Sequence, residues 1–257
     1  MKYNSLRLAA VFVLGLFVAF AISCSNDDNP APSPIDIHEA VDMGLPSGTK
    51  WASMSIGSSA PHQIGLYFAW GETVGYTGDP NDGRNFWYDD YKWNTEEGYY
   101  AWFGTTKYQI PDTIDGQGGH PKSCWYDENG VFIGDNKTEL DPEDDAARVL
   151  WGNGWRMPTR DEVAELCNNC TSEWETIEGV IGIRMTSKIN GNSLFFPACG
   201  DRGNGEIHWV GEQGYYWSST IDVTNTGYGC YLVFSKLGVY PWSSYRFGGR
   251  NIRPVRK

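Results

Sequence analysis

From Ile37 to the C-terminus, only two segments of this chain carry helix signals; the rest is short apolar stretches interrupted by glycine, of which there are 31 in 257 residues. That pattern restricts the fold to short strands joined by turns, with helices as isolated insertions. Residues 50–57 (KWASMSIG) and 66–72 (LYFAWGE) read as strands between Gly and Pro boundaries. Residues 182–198 (GIRMTSKINGNSLFFPA) read as a hairpin turning at Asn190-Gly191, the strongest such signal in the chain. Further strands are expected at 215–220, 230–234 and 251–256. Residues 73–135 are rich in Gly, Asp and aromatics without a period, which suits an elaborated loop region packed by its own rings.

The two helices have clear starts. In DPEDDAARVLW, Asp141 precedes Pro142 and acidic residues fill the first turn, where the positive helix end favours them. Ala146, Ala147, Val149 and Leu150 supply its apolar face, and Gly152 ends it. Thr159 and Glu162 then form a T-x-x-E capping box that launches a second helix to about Asn168, with Val163, Leu166 and Cys167 facing the core. Between them lies WGNGWRMP, in which Trp151, Trp155 and Arg156 read as a structural clamp rather than a working site.

Lys2 and Arg7 precede a fifteen-residue apolar run, Leu8 to Ile22. This is shorter than the roughly 20 residues that span a bilayer, so residues 1–23 read as a cleaved export signal. The run ends in Ala21-Ile22-Ser23-Cys24, which resembles the bacterial lipobox and implies acylation of Cys24 as the new N-terminus. Several acyl chains there make a durable anchor. Residues 24–37 are rich in proline and almost free of apolar side chains, as a solvated spacer is; Asp27 and Asp28 resemble the acidic export tag of Bacteroidetes surface lipoproteins. The expectation is an outer-membrane lipoprotein facing the cell surface. A net charge of −12 excludes nucleic acid and anionic lipid as natural partners.

Chemical motifs are sparse. There is no G-x-S-x-G elbow, P-loop, G-x-G-x-x-G after a strand or H-E-x-x-H, and the four histidines lack ligand spacing. With Cys24 lipidated, five cysteines remain, so at least one thiol stays unpaired. Cys167 and Cys170 form a C-x-x-C at a helix end without the histidines or second pair of a zinc site; structural thiols are favoured over a redox pair. Residues 79–90 (DPNDGRNFWYDD) imitate a calcium loop, but glycine stands fifth rather than sixth and Asp90 replaces the closing glutamate, so a plain turn is favoured. Neither a metal nor a cofactor is expected. Two clusters suit binding instead: residues 86–103 hold nine aromatics in eighteen positions and residues 240–247 hold four in eight. The first is expected mainly to pack its own loop.

The segments VDMGLPSGTKWA (41–52), YFAWGET (67–73), residues 135–166, GNSLFFPACG (191–200), GYYWSST (214–220) and RFGGRNIRPVR (246–256) resemble the Fibrobacter succinogenes major paralogous domain. That family is frequent among Bacteroidetes lipoproteins and similar in fold to C-type lectins, near the formylglycine-generating enzymes and the variable proteins of diversity-generating retroelements. The resemblance implies that residues 38–257 form an α+β, C-type-lectin-like domain with two helices, small twisted antiparallel sheets and long aromatic, Gly-rich loops, its first and last strands meeting. It also implies a ligand surface just before the last strand, at Tyr240, Ser243, Ser244, Tyr245, Phe247 and Arg250; Trp242 departs from the mutable codons of the retroelement branch but adds a ring to the surface. A non-catalytic domain that binds a glycan or a surface protein is the leading expectation. An adhesin or envelope subunit follows it, and an oxidase built on Cys199 and Cys230 is the least favoured.

Overall fold

The computed structural model describes residues 38–94, 105–111 and 126–257. The leader and spacer with Cys24, the second half of the aromatic stretch 86–103 and Cys124 lie outside the described residues. Within them the chain is an α+β assembly of eleven strands and two α-helices. In chain order these are β1 (Ala40–Val41), β2 (Lys50–Ala52), α1 (Ala146–Trp151), α2 (Arg160–Asn169), β3 (Cys170–Ile177), β4 (Val180–Ser187), β5 (Ser193–Pro197), β6 (Asp201–Gly203), β7 (Glu206–His208), β8 (Gly214–Asp222), β9 (Asn225–Ser235), β10 (Gly238–Tyr245) and β11 (Val255–Arg256). They form three antiparallel three-stranded sheets, β1-β2-β11, β3-β4-β5 and β10-β9-β8, and the β6-β7 hairpin.

The last strand joins the N-terminal pair through β2, not β1: Val255 pairs with Trp51 and Arg256 with Lys50. The strand expected at 50–57 keeps only its first three residues; Ala52 N bonds Pro254 O, and past it the backbone turns, leaving Ser53 N on Glu39 O and Ile56 N on Ile252 O. Residues 66–72 likewise form single bridges, Tyr67 to Tyr76 and Phe68 to Arg250, rather than a continuous strand. The Asn190-Gly191 hairpin is present, with Gly191 at φ 78° where glycine is favoured.

The clamp is built around one carboxylate. Thr159 accepts from Glu162 N and Glu162 returns the bond to Thr159 N, completing the capping box. The same carboxylate takes both arms of the Arg156 fork at 2.7 and 2.6 Å, and the Thr49 hydroxyl at 2.6 Å. Arg156 in turn bridges Val255 through its backbone at 3.0 and 2.8 Å, so β11 is tied to both β2 and the α2 start. Trp155 is fully buried beside Trp151, which stacks on His38 at 3.7 Å. The α1 cap is Asp145 rather than Asp141: its carboxylate accepts from Ala147 N and Arg148 N, and also from Met157 N at 2.9 Å, which pulls the clamp onto the helix. Asp141 sits a turn earlier, engaged with Lys107 and Lys137. Only Ala146 and Ala147 of α1 are buried, while Val149 and Leu150 face solvent.

The β8–β9–β10 sheet divides the interior. Tyr215, Trp217, Tyr231 and Val233 on one face join the aromatic cluster of Tyr67, Trp70 and Tyr108. Tyr216, Leu232 and Phe234 on the other face meet Val163 and Leu166 of α2. Both faces being covered, β8 shows no polar alternation. Long irregular segments leave carbonyls to satisfy, and buried arginines satisfy them. Arg253 donates to Ala52 O, Ser53 O and Phe195 O; Arg246 to Lys107 O, Tyr108 O and Thr226 O; Arg202 to Thr77 O, Arg84 O and the Asp82 carboxylate. Each leaves its Nε unpaired and lies over a ring, Phe196, Trp70 and Phe86 respectively, which takes up part of the charge.

Burial alone would raise the Glu162 carboxyl, but the bonds from Arg156, Thr49 and Thr159 outweigh it and hold the group at about 2 against an ordinary 4.5. With the folded value depressed, its stabilisation is complete above pH 4.5 and is lost as the pH falls toward 2. We expect Glu162→Ala to lower the unfolding free energy at neutral pH by about 3 kcal/mol. The difference from the wild type should close across that acid window in urea titrations, and a difference independent of pH would refute the assignment.

Candidate functional site

Among the described residues β10 is an edge strand, hydrogen-bonded to β9 on one side. The segment expected as an aromatic loop with ligand contacts forms this strand instead. Tyr240 and Trp242 point to one face, opposite Val233 and Tyr231, and stand 41% and 62% exposed with ring centroids 6.4 Å apart. Inward from them, Tyr231 contacts Trp217 and Tyr215, and Tyr215 leads to Trp209, itself about half exposed. Exposed rings at Trp209, Tyr240 and Trp242 therefore rim a buried aromatic floor. Trp209, flanked by glycine-rich sequence and held at φ 58°, was missed by sequence reasoning because a lone tryptophan outside a cluster carries no pattern.

The other expected contact residues take different places. Phe247 is a correction: at 7% exposure it stacks on Tyr245 at 5.0 Å and edges onto Trp87, so it packs the interior rather than meeting a ligand. Arg250 is the second, only 4% exposed and sandwiched between Trp217 and Tyr231 at 4.2 and 4.1 Å. The turn after β10 sends both residues back under the sheet, where Phe68 bridges Arg250. Arg250 lies 3.8 Å from Asp201, whose carboxyl is pushed up by burial with the guanidinium opposing. Tyr245 is half-buried, edge-on to Tyr228 at 4.8 Å. Ser243 faces the opposite side from Trp242 and donates to Asp222 at 2.5 Å. Of the expected set, Tyr240 and Trp242 are exposed, Arg250 lies on Tyr231, the cross-strand partner of Trp242, and Tyr245 packs on Tyr228 and Phe247.

The calcium-like loop uses its carboxylates internally. Asp82 takes both arms of Arg202 at 2.7 and 3.1 Å, Asp90 accepts from Asn85 N and Trp87 N, and Asp79 from Asn81 N. Asp141, Glu143 and Asp144 bring carboxylates together, but Lys92 and Lys107 already occupy Asp144, and Lys107 and Lys137 occupy Asp141. Those ammonium groups stand where a cation would.

Cys167, Cys170, Cys199 and Cys230 are all free thiols. Burial pushes them up to about 12, 11, 11 and 12 respectively, so each stays protonated at neutral pH and lacks the thiolate that a nucleophile or redox pair needs. In native buffer these four should react with a disulfide reagent at least about a hundredfold more slowly than in the unfolded chain. Peptide mapping after timed quenching checks this; one of them reacting at the unfolded rate would restore a chemical role. Compared with protein-family models, with curated proteins and with solved structures, the chain matches none.

Proposed function

We propose that this chain is a cell-envelope lipoprotein, tethered through Cys24 to the outer membrane and facing outward, whose C-type-lectin-like domain binds a glycan without catalysis. The observation that carries the reading is the Tyr240–Trp242 pair: two large rings left in solvent on a strand whose neighbours are otherwise closely packed. Flat rings with polar edges stack against sugar faces and lose little rotamer freedom on doing so. Tyr231, Trp217 and Arg250 pack as a buried floor beneath that strand, and a preformed floor lowers the ordering cost of binding. A second reading, docking of an envelope protein as an added strand, is favoured by the edge position of β10 among the described residues.

Trp242→Ala and Tyr240→Ala should each weaken binding of the retained sugar on a glycan array by at least about tenfold while leaving the melting temperature near wild type. If neither substitution alters binding, the surface is wrongly placed. If no sugar is retained and an envelope protein co-purifies in stoichiometric amount, strand docking replaces the glycan. For the tether, Cys24→Ser should move the chain from the membrane fraction to the soluble one and abolish incorporation of labelled fatty acid; continued labelling would rule out Cys24 as the acylated residue.

A further inference from the structure

A cavity of about 270 Å³ lies on the far side of the β8–β9–β10 sheet from Trp242, between the start of α2, Glu139 and the turn from β8 to β9. Its walls are preformed by backbone pairing. Glu139 bridges Thr220, Ile221 N donates to Thr138 O at 2.9 Å, Ser219 N to Pro158 O at 2.7 Å, and Arg160 N to the Thr220 hydroxyl at 3.0 Å. The β8 ladder is irregular between Trp217 and Ile221, a local distortion of the kind found beside binding sites, and it opens this wall. The Cys230 thiol, 2% exposed and neutral, is part of the lining.

Charge selects the occupant. Glu139, Asp161 and Asp222 line the cavity against a single guanidinium, Arg160, which leaves an excess of negative charge. Asp222 is the fixed member: Ser243 donates to its Oδ2 at 2.5 Å, and Thr224 N and Oγ1 donate to its Oδ1 at 2.8 and 2.7 Å. Burial would raise this carboxyl, yet those bonds, with the Arg160 guanidinium nearby, prevail and hold it below its usual value, so it remains an anion with lone pairs to spare. Ser243, expected on a ligand surface, thus belongs to the second layer of a different site. The volume lies just below the about 300 Å³ at which drug-sized pockets begin, and so suits a molecule no larger than a monosaccharide. We propose that this cavity is a separate binding site for a small hydroxylated primary ammonium compound, of the amino-sugar or amino-alcohol class, with the ammonium against Asp222 and the hydroxyls toward Thr220 and Arg160.

Calorimetric titration of the full chain with glucosamine, and with glucose as the uncharged counterpart, tests this. Glucosamine should bind with at least millimolar affinity and glucose should not; Asp222→Asn should weaken glucosamine at least about tenfold, and Trp242→Ala should leave it unchanged. Saturating glucosamine should also slow modification of Cys230 by methyl methanethiosulfonate at alkaline pH without altering Cys199, which lies outside the cavity lining. If Asp222→Asn does not fold, Glu139→Gln serves the same comparison. Equal response to glucose and glucosamine, no heat with either at millimolar concentration, or wild-type affinity in the carboxylate variant would overturn the site. Loss of glucosamine binding in Trp242→Ala would instead assign it to the aromatic rim.

Discussion

Guanidinium groups sealed inside the domain are the constraint on which the remaining structure depends. The described residues between β2 and α1 hold little regular secondary structure and leave many carbonyls without ladder partners, and an unpaired buried carbonyl costs about 1–3 kcal/mol. Arg202, Arg246 and Arg253 each reach two or more such oxygens from separate segments, so one side chain replaces several hydrogen bonds that a sheet would have made. Lysine could not do this, since its single ammonium lacks the planar fork. Rings beneath each guanidinium complete the shell. The aromatic richness and the buried arginines are therefore one device: rings enclose the cations, and cations hold the loops.

The same logic separates support from surface at the end of the chain. Arg250 lies among Trp217, Tyr231 and Tyr215, beneath the strand that exposes Tyr240 and Trp242. A sheet packed on both faces can present rings at its edge without their collapsing inward, because the interior is already filled. Two opposite faces of β10 then serve two environments, Trp242 in solvent and Ser243 against Asp222.

Where a signal was local, the sequence was sufficient. The Thr159–Glu162 capping box and the Asn190-Gly191 hairpin need only neighbouring residues, and both are present. Asn204-Gly205, with both residues at positive φ, carries the same hairpin signature and joins β6 to β7, yet the segment is so short that it did not stand out as a pair of strands. Asp141 beside Pro142 marks the start by sequence, but Asp145 is the cap, because its carboxylate reaches Ala147 N and Arg148 N and is also held by the distant Met157 N. β3 was not anticipated, because its Glu- and Thr-rich stretch has little apolar pattern and gains its place from β4. Residues 240–247, expected as loop, fall mostly in an edge strand, which tolerates the missing donor of Pro241. Burial of Phe247 and Arg250 is set by a turn that returns the chain beneath the sheet, which no local pattern encodes.

Pairing of β2 with β11 has a consequence for biosynthesis. Arg253 bonds to Ser53, 200 positions earlier, and Val255 completes the ladder with Trp51. Contacts so remote in sequence form late, since a long loop must first be closed. As the chain is made, β2 stays unlatched on one edge until residues 253–256 have emerged. That open edge must be kept from other chains throughout the interval, so shielding by a chaperone matters most before β11 is available.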